Sequence, residues 1–112
     1  MKVSFDGIGD SLITFMNDGV KKGEVCKVGA AGTVAPCTAG NAFDGLAVFA
    51  EGEYAGVRLR GFVTAPYTGT APAVGRAVLA ANGSGGVKTA ENGDTYIVVD
   101  KDTVNKTVTF LM

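Results

Sequence analysis

Apolar residues follow two patterns along this chain, and both are typical of β-strands. The motif Val57-Arg58-Leu59-Arg60 and the segment 107–112 alternate between apolar and polar residues. Such alternation places one face of a strand against a core and the other face in water. Residues 45–50 and 96–99 are nearly continuous apolar runs, which indicate strands buried on both sides. Turns rich in Gly, Asn and Asp separate these segments, so the chain is predicted to be all-β.

The pattern occurs twice. One hairpin begins at Gly23 and a similar one at Gly75, each with a Gly-rich turn in its middle. A second hairpin with a charged turn follows in each copy. The corresponding segments are residues 23–35 and 75–89, then residues 46–60 and 96–111. Two β units of equal length predict one β domain with internal pseudo-symmetry.

The predicted architecture is therefore a single small β-barrel or a β-sandwich built from two repeated hairpin pairs. The domain spans residues 23–112, with repeats at about 23–63 and 75–112, and residues 1–22 form an N-terminal arm and a first strand at 11–16. Phe62 and Val63 are expected to finish the strand that contains Val57. Residues 65–72 contain two of the three prolines and are expected to form a crossover loop between the repeats.

Composition and charge narrow the function classes. The chain has 17 Gly and no Trp, as a turn-rich β protein does. Its formal charge of −1 gives no electrostatic indication of nucleic-acid binding, which usually uses a basic face. No apolar run reaches the roughly 18 residues of a membrane helix, and the first residues lack a signal-peptide pattern. We expect no nucleic-acid or membrane partner and synthesis in a cytosol.

Candidate catalytic chemistry is sparse. The chain has no His, which removes the commonest general base near neutral pH and most catalytic zinc sites. Glu51 with Glu53 and Asp100 with Asp102 are paired carboxylates, but both pairs fall in predicted turns, where acidic residues are common. The run at 83–89 resembles a phosphate-binding loop but lacks its Gly-Lys order and following helix. We expect no catalytic residue, no cofactor and no metal site, and hence no enzyme.

Cys26 and Cys37 flank the first hairpin. A disulfide between its strands is geometrically conceivable. Two buried reduced thiols are the other interpretation, because Cys is among the most buried residue types. The sequence leaves both open.

One family resemblance rests on four motifs. They are Lys22-Gly23-Glu24-Val25, Gly32-Thr33-Val34-Ala35, Phe43-Asp44-Gly45-Leu46-Ala47-Val48 and Val57-Arg58-Leu59-Arg60-Gly61-Phe62-Val63. In this order they resemble the small capsid cement, or head-decoration, proteins of tailed bacteriophages and prophages. The resemblance covers about residues 20–63, and residues 69–88 look similar to a longer prophage variant.

The resemblance implies a structural protein on the outside of a phage head, made in the bacterial host cytoplasm. Such proteins bind the major capsid protein lattice after expansion and reinforce the shell. They are often homotrimers, and some engage the capsid through an N-terminal arm. The candidate contacts with the capsid or a neighbouring subunit lie in the arm and in the crossover loop: Val3, Phe5, Ile8, Pro66, Tyr67 and Pro72.

A second hypothesis comes from a different class. A non-catalytic ligand- or glycan-binding β module needs exposed aromatic residues on one surface. Tyr54, Tyr67 and Tyr96 are the candidates, and Tyr96 is also expected to pack in the core.

Overall fold

The computed structural model describes residues 11–112, and its regular structure is entirely β. This part of the chain contains no helix, and so none long enough to cross a membrane. The all-β prediction is confirmed. The ten strands are β1 Ser11–Asn17, β2 Val25–Ala30, β3 Thr33–Pro36, β4 Gly45–Glu51, β5 Tyr54–Arg60, β6 Phe62–Pro66, β7 Gly75–Ala81, β8 Val87–Thr89, β9 Asp94–Asp102 and β10 Thr107–Leu111.

The first five strands form a closed barrel in the order β1-β3-β2-β4-β5. β1 closes it, because it runs antiparallel to β5 and parallel to β3. The interior is filled mostly by small apolar side chains, since a five-stranded barrel has little room inside. The fully buried members are Cys26, Val34, Ala47, Ala55 and Val57.

The last five strands form a second sheet with the same neighbour relations, in the order β6-β10-β9-β7-β8. Its register repeats that of the barrel. Ile13 lies opposite Val57 in the barrel, and Val63 lies opposite Phe110 in the sheet. A register shift after Ala47 in β4 recurs at the corresponding place in β9. The duplication therefore extends to pairing register and bulge position.

β1 and β6 are counterparts, so the first copy includes Ser11 and starts earlier than Gly23, where the sequence pattern indicated. The strand containing Val57 also ends earlier than expected. Gly61 follows it with a φ of 117°, a conformation that favours glycine. Phe62 and Val63 then begin β6 and pair with β10, which corrects their assignment to the preceding strand.

The two copies differ in how they close. In the barrel, Asn17 pairs with Val34, and the Asp18 amide donates to the Val34 carbonyl at 2.9 Å. In the second sheet, an isolated bridge between Tyr67 and Val87 takes that place, and the Thr68 amide donates to the Val87 carbonyl at 3.1 Å. The second sheet thus has the same strand order as the barrel, and the bridge between Tyr67, which follows β6, and Val87 of β8 joins its two outer strands.

Side chains of the barrel complete the core of the second sheet. Phe43 and Leu46 belong to the same buried cluster as Leu79 and Phe110. Backbone hydrogen bonds also join the copies: the Gly40 amide donates to the Ala81 carbonyl, and the Ala81 amide to the Asn41 carbonyl, each at 2.9 Å. Because they share a core and backbone bonds, we expect the two copies to unfold together.

Candidate interaction surfaces

The residues predicted to contact the capsid or a subunit fall into two groups. Val3, Phe5 and Ile8 lie outside the described residues. The other three lie around the end of β6. Pro66 is exposed and pairs with Thr107 of β10.

Tyr67 and Pro72 are buried, with Tyr67 only 5% exposed. Tyr67 is buried because its bridge to Val87 turns the side chain into the core of the second sheet. The Pro72 carbonyl accepts a hydrogen bond from Lys101 Nζ at 3.3 Å. Of the three predicted contacts in the crossover segment, Pro66 is therefore the exposed one. Composition predicted a loop for residues 65–72. It could not reveal that Tyr67 is buried, because that burial depends on a pairing with a distant part of the chain.

The outward side of β1, β5 and β4 carries a cluster of exposed apolar side chains. We call it the barrel face and define it by Leu12, Met16, Phe49 and Tyr54. Leu12 is 52% exposed, Tyr54 53%, Met16 44% and Phe49 37%. Met16 lies opposite Tyr54 across the β1–β5 pair, and Phe49 lies opposite Gly56 across the β4–β5 pair. These side chains therefore share one side of adjacent strands.

Gly56 lets the Phe49 ring pack directly on the β5 backbone at the centre of the barrel face. A Cβ atom added at Gly56 would overlap the ring of Phe49, so the ring lies across the β5 backbone where other strands carry a side chain. Gly56 itself is buried beneath it. A flat apolar sheet surface suits packing against another flat surface.

The second sheet provides an internal comparison, because its register matches. Tyr54 corresponds to Thr107, Gly56 to Thr109, and Phe49 to Asp100. Thr109 Oγ1 shares a hydrogen bond of 2.8 Å with Thr64 Oγ1. A shallow cavity of about 230 Å³ there is lined by polar side chains, namely Thr64, Asp100, Lys101, Asp102, Thr107 and Thr109. The same backbone arrangement thus accepts polar residues, so the fold does not require the apolar barrel face.

The barrel face has opposite charges at its two ends. Glu51 and Glu53 flank the β4–β5 turn next to Tyr54, and both are exposed. Arg58 and Arg60 lie at the other end of β5. Arg58 is half-buried and donates from Nη1 to the Phe62 carbonyl at 3.1 Å, whereas Arg60 is exposed. The apolar centre thus lies between an acidic and a basic end.

A cleft of about 470 Å³ lies where the two copies meet, lined by Phe43, Asp44, Leu59, Arg60, Tyr96 and Met112. The Phe43 and Tyr96 rings stack with centroids 5.1 Å apart, and Phe110 meets Tyr96 edge-on at 5.2 Å. Burial raises the pKa of Tyr96 to about 12. Tyr96 is half-buried and packs against the core of the second sheet through these two rings. With Tyr67 buried as well, Tyr54 is the one exposed tyrosine of the three glycan-binding candidates.

The two cysteines are free thiols and are buried in different cores. Cys26 lies inside the barrel, where Sγ is 3.7 Å from the Gly45 carbonyl oxygen, and Cys37 lies in the core shared with the second sheet. Burial raises the pKa of Cys26 to about 12 and also raises that of Cys37. The structure thus corresponds to the reduced-thiol interpretation. Within residues 11–112, no group of three or more potential metal ligands comes together.

Two predicted turns are present, one of them later in the chain than expected. Asp100 and Asp102 lie in β9 rather than in the turn, which follows at residues 103–106. Asp102 accepts bonds from the Val104 and Asn105 amides at 3.0 Å each, and the bonds from Asn105 lower the pKa of its carboxyl. In the glycine-rich segment, Asn82 Oδ1 accepts from the amides of Ser84 at 2.7 Å and Gly86 at 3.0 Å. This segment connects β7 to β8 as a hairpin turn rather than opening a helix.

Neither a scan against protein-family models nor a search of curated proteins found a match for this chain.

Proposed function

We propose that this chain is a structural head-decoration protein, which binds the outer surface of a tailed-phage capsid as a homo-oligomer and stabilises the shell. The observation that supports it is the motif resemblance of residues 20–63. Those motifs lie on or next to β2 to β5 and reach the start of β6, and β2 to β5 form the closed barrel together with β1.

The physical requirements of that role agree with the architecture. A protein that binds the expanded lattice and not the immature one stabilises the expanded shell by mass action. Many weak contacts repeated by symmetry then give strong attachment. A barrel without a free edge and a second sheet joined to it by a shared core form a compact body, which loses little entropy on docking. The proposed contacts with the lattice are the segment 1–10 and Pro66, and the stoichiometry proposed for the shell is a trimer.

The first test is whether the gene of this chain lies beside a major capsid gene. If it does, the second test uses empty expanded shells assembled from that capsid protein. Purified protein is added, the shells are pelleted, and their thermal disruption is followed by light scattering. We expect saturable co-sedimentation and disruption at a higher temperature. Unexpanded shells of the same protein serve as the control. Absence of binding to expanded shells would contradict the proposal.

A second candidate is a glycan-binding module, which the exposed Tyr54 and the flat Phe49 ring on the same face favour. Sugar rings pack their apolar sides on such aromatic surfaces. A glycan array probed with the wild type and with Tyr54→Ala decides this point. Hits that disappear in the variant would support it, and an array without hits would remove it.

A further inference from the structure

We infer that the barrel face is a self-association surface, through which two copies of this chain pair about a two-fold axis. The inference needs only two copies of the chain and does not rest on the proposed function. A two-fold contact is also separate from the three-fold contact that a trimer uses.

The first argument is the internal comparison. Both copies of the repeat build the same sheet with the same register, yet Met16, Phe49 and Tyr54 face outward in the barrel where the second sheet has Pro66, Asp100 and Thr107. Exposing large apolar side chains has no benefit for a monomer, and contiguous patches of them mark interaction sites. Because the fold tolerates polar residues at these positions, the exposed apolar cluster points to a partner.

The second argument is shape. The Phe49 ring covers Gly56, and the β1 residue opposite Gly56 is the small Thr14, so no long side chain other than Phe49 stands at the centre of the barrel face. A flat sheet surface packs best against another flat sheet surface, about 10 Å away. A second copy of the barrel face meets this requirement, since a two-fold contact uses the same patch on both subunits.

The third argument is charge. A two-fold axis that lies in the plane between the two faces, perpendicular to β5 and level with Gly56, makes the two β5 strands antiparallel. The acidic end of each copy, with Glu51 and Glu53, then lies over the basic end of the other copy, with Arg58 and Arg60. The face is complementary to itself in this orientation. A parallel arrangement would instead place like charges together.

The size of the face sets the expected strength. Three strands and six residue steps along β5 span roughly 15 by 20 Å. The corresponding area of about 300 Å² is smaller than the about 800 Å² that each partner buries in stable complexes. We therefore expect a weak, concentration-dependent dimer with a dissociation constant on the order of 10–100 µM.

Sedimentation of the full chain from about 1 µM to about 1 mM tests the pairing. We expect a monomer–dimer equilibrium, and Tyr54→Lys should raise the dissociation constant at least about tenfold, because it removes the ring and places a positive charge over the basic end of the other copy. Thr107→Lys is the matched control, because Thr107 is the counterpart of Tyr54, and it should leave the equilibrium unchanged. Tyr54→Ser, judged beside the circular dichroism of each variant, separates lost pairing from misfolding.

A charge swap tests the orientation. Glu53→Arg and Arg60→Glu should each weaken pairing several-fold, and the double variant should restore it, because the swapped ends are again complementary. A double variant as weak as the single ones contradicts the two-fold arrangement. A wild type that stays monomeric to about 1 mM overturns the inference, as does a trimer insensitive to Tyr54→Lys. If dimers appear only after residues 1–10 are deleted, this segment covers the barrel face in the full chain. If the monomer instead binds an oligosaccharide there, a sugar is the ligand of the barrel face.

Discussion

Phe43 is the side chain through which the barrel completes the core of the second sheet, and its removal should weaken both. It is 3% exposed, stacks on Tyr96, and meets Phe110 edge-on with centroids 5.9 Å apart. Phe43→Ala leaves a cavity where the two copies meet. We expect the free energy of unfolding to fall by about 3–5 kcal/mol, the usual cost of truncating a buried Phe. Each lost aromatic pair accounts for about 0.5–1.5 kcal/mol of that cost.

The same loss converts into a melting temperature. An entropy of unfolding of about 2.1 cal/mol/K per residue gives roughly 0.24 kcal/mol/K for this chain. A loss of about 4 kcal/mol then lowers the Tm by about 17 °C. Because total stabilities are about 5–15 kcal/mol, the variant should remain folded at low temperature and be measurable.

Urea unfolding followed by circular dichroism, with a thermal melt, provides the measurement. Phe43→Leu keeps most of the volume and should lose less than half as much as Phe43→Ala. Tyr54→Ala removes an exposed aromatic side chain and should cost under about 1 kcal/mol. If the slope of the unfolding free energy against urea concentration is the same as in the wild type, the two copies still unfold together. A loss below about 1 kcal/mol for Phe43→Ala would refute the shared core.

Three further predictions address the thiols, a turn and the N-terminal segment. Cys26 and Cys37 should resist iodoacetamide in the native protein at pH 8, since their pKa values are raised and both are buried. After unfolding without reductant, two labels should appear by mass spectrometry. Fewer than two labels would indicate a disulfide. Asp102→Ala should lower the urea midpoint at pH 7, because the hydrogen bonds from Asn105 hold the folded-state pKa of Asp102 below its ordinary value of 3.8. The difference from wild type should vanish as the pH falls through that lowered pKa, and a difference that persists at pH 2 would contradict the assignment. Deletion of residues 1–10 should abolish binding to expanded shells while the β-sheet circular dichroism is retained, and unchanged binding would contradict the role of that segment.

The candidate surfaces were only partly predictable. Pro66 is exposed as expected, whereas Tyr67 and Pro72 are buried. Composition alone indicates a loop at residues 65–72, because Pro, Thr and Gly are turn residues. The bridge from Tyr67 to Val87 joins parts of the chain that no local pattern relates. The barrel face was missed for a similar reason: an exposed Met16 or Phe49 looks like a core residue in the sequence.

The sequence by itself determined the strands, their turns and the duplication. Alternation with a period of two, the apolar runs and turn residues such as Asn82 act over a few neighbouring residues. Only the tertiary structure decided which pairs close the barrel, where β6 begins, and that Cys26 and Cys37 lie in separate cores. Those outcomes depend on register between distant strands, and a shift of one residue reverses the face that each side chain occupies. The same long-range pairing leaves the barrel face apolar and exposed, and the surface proposed for self-association lies there.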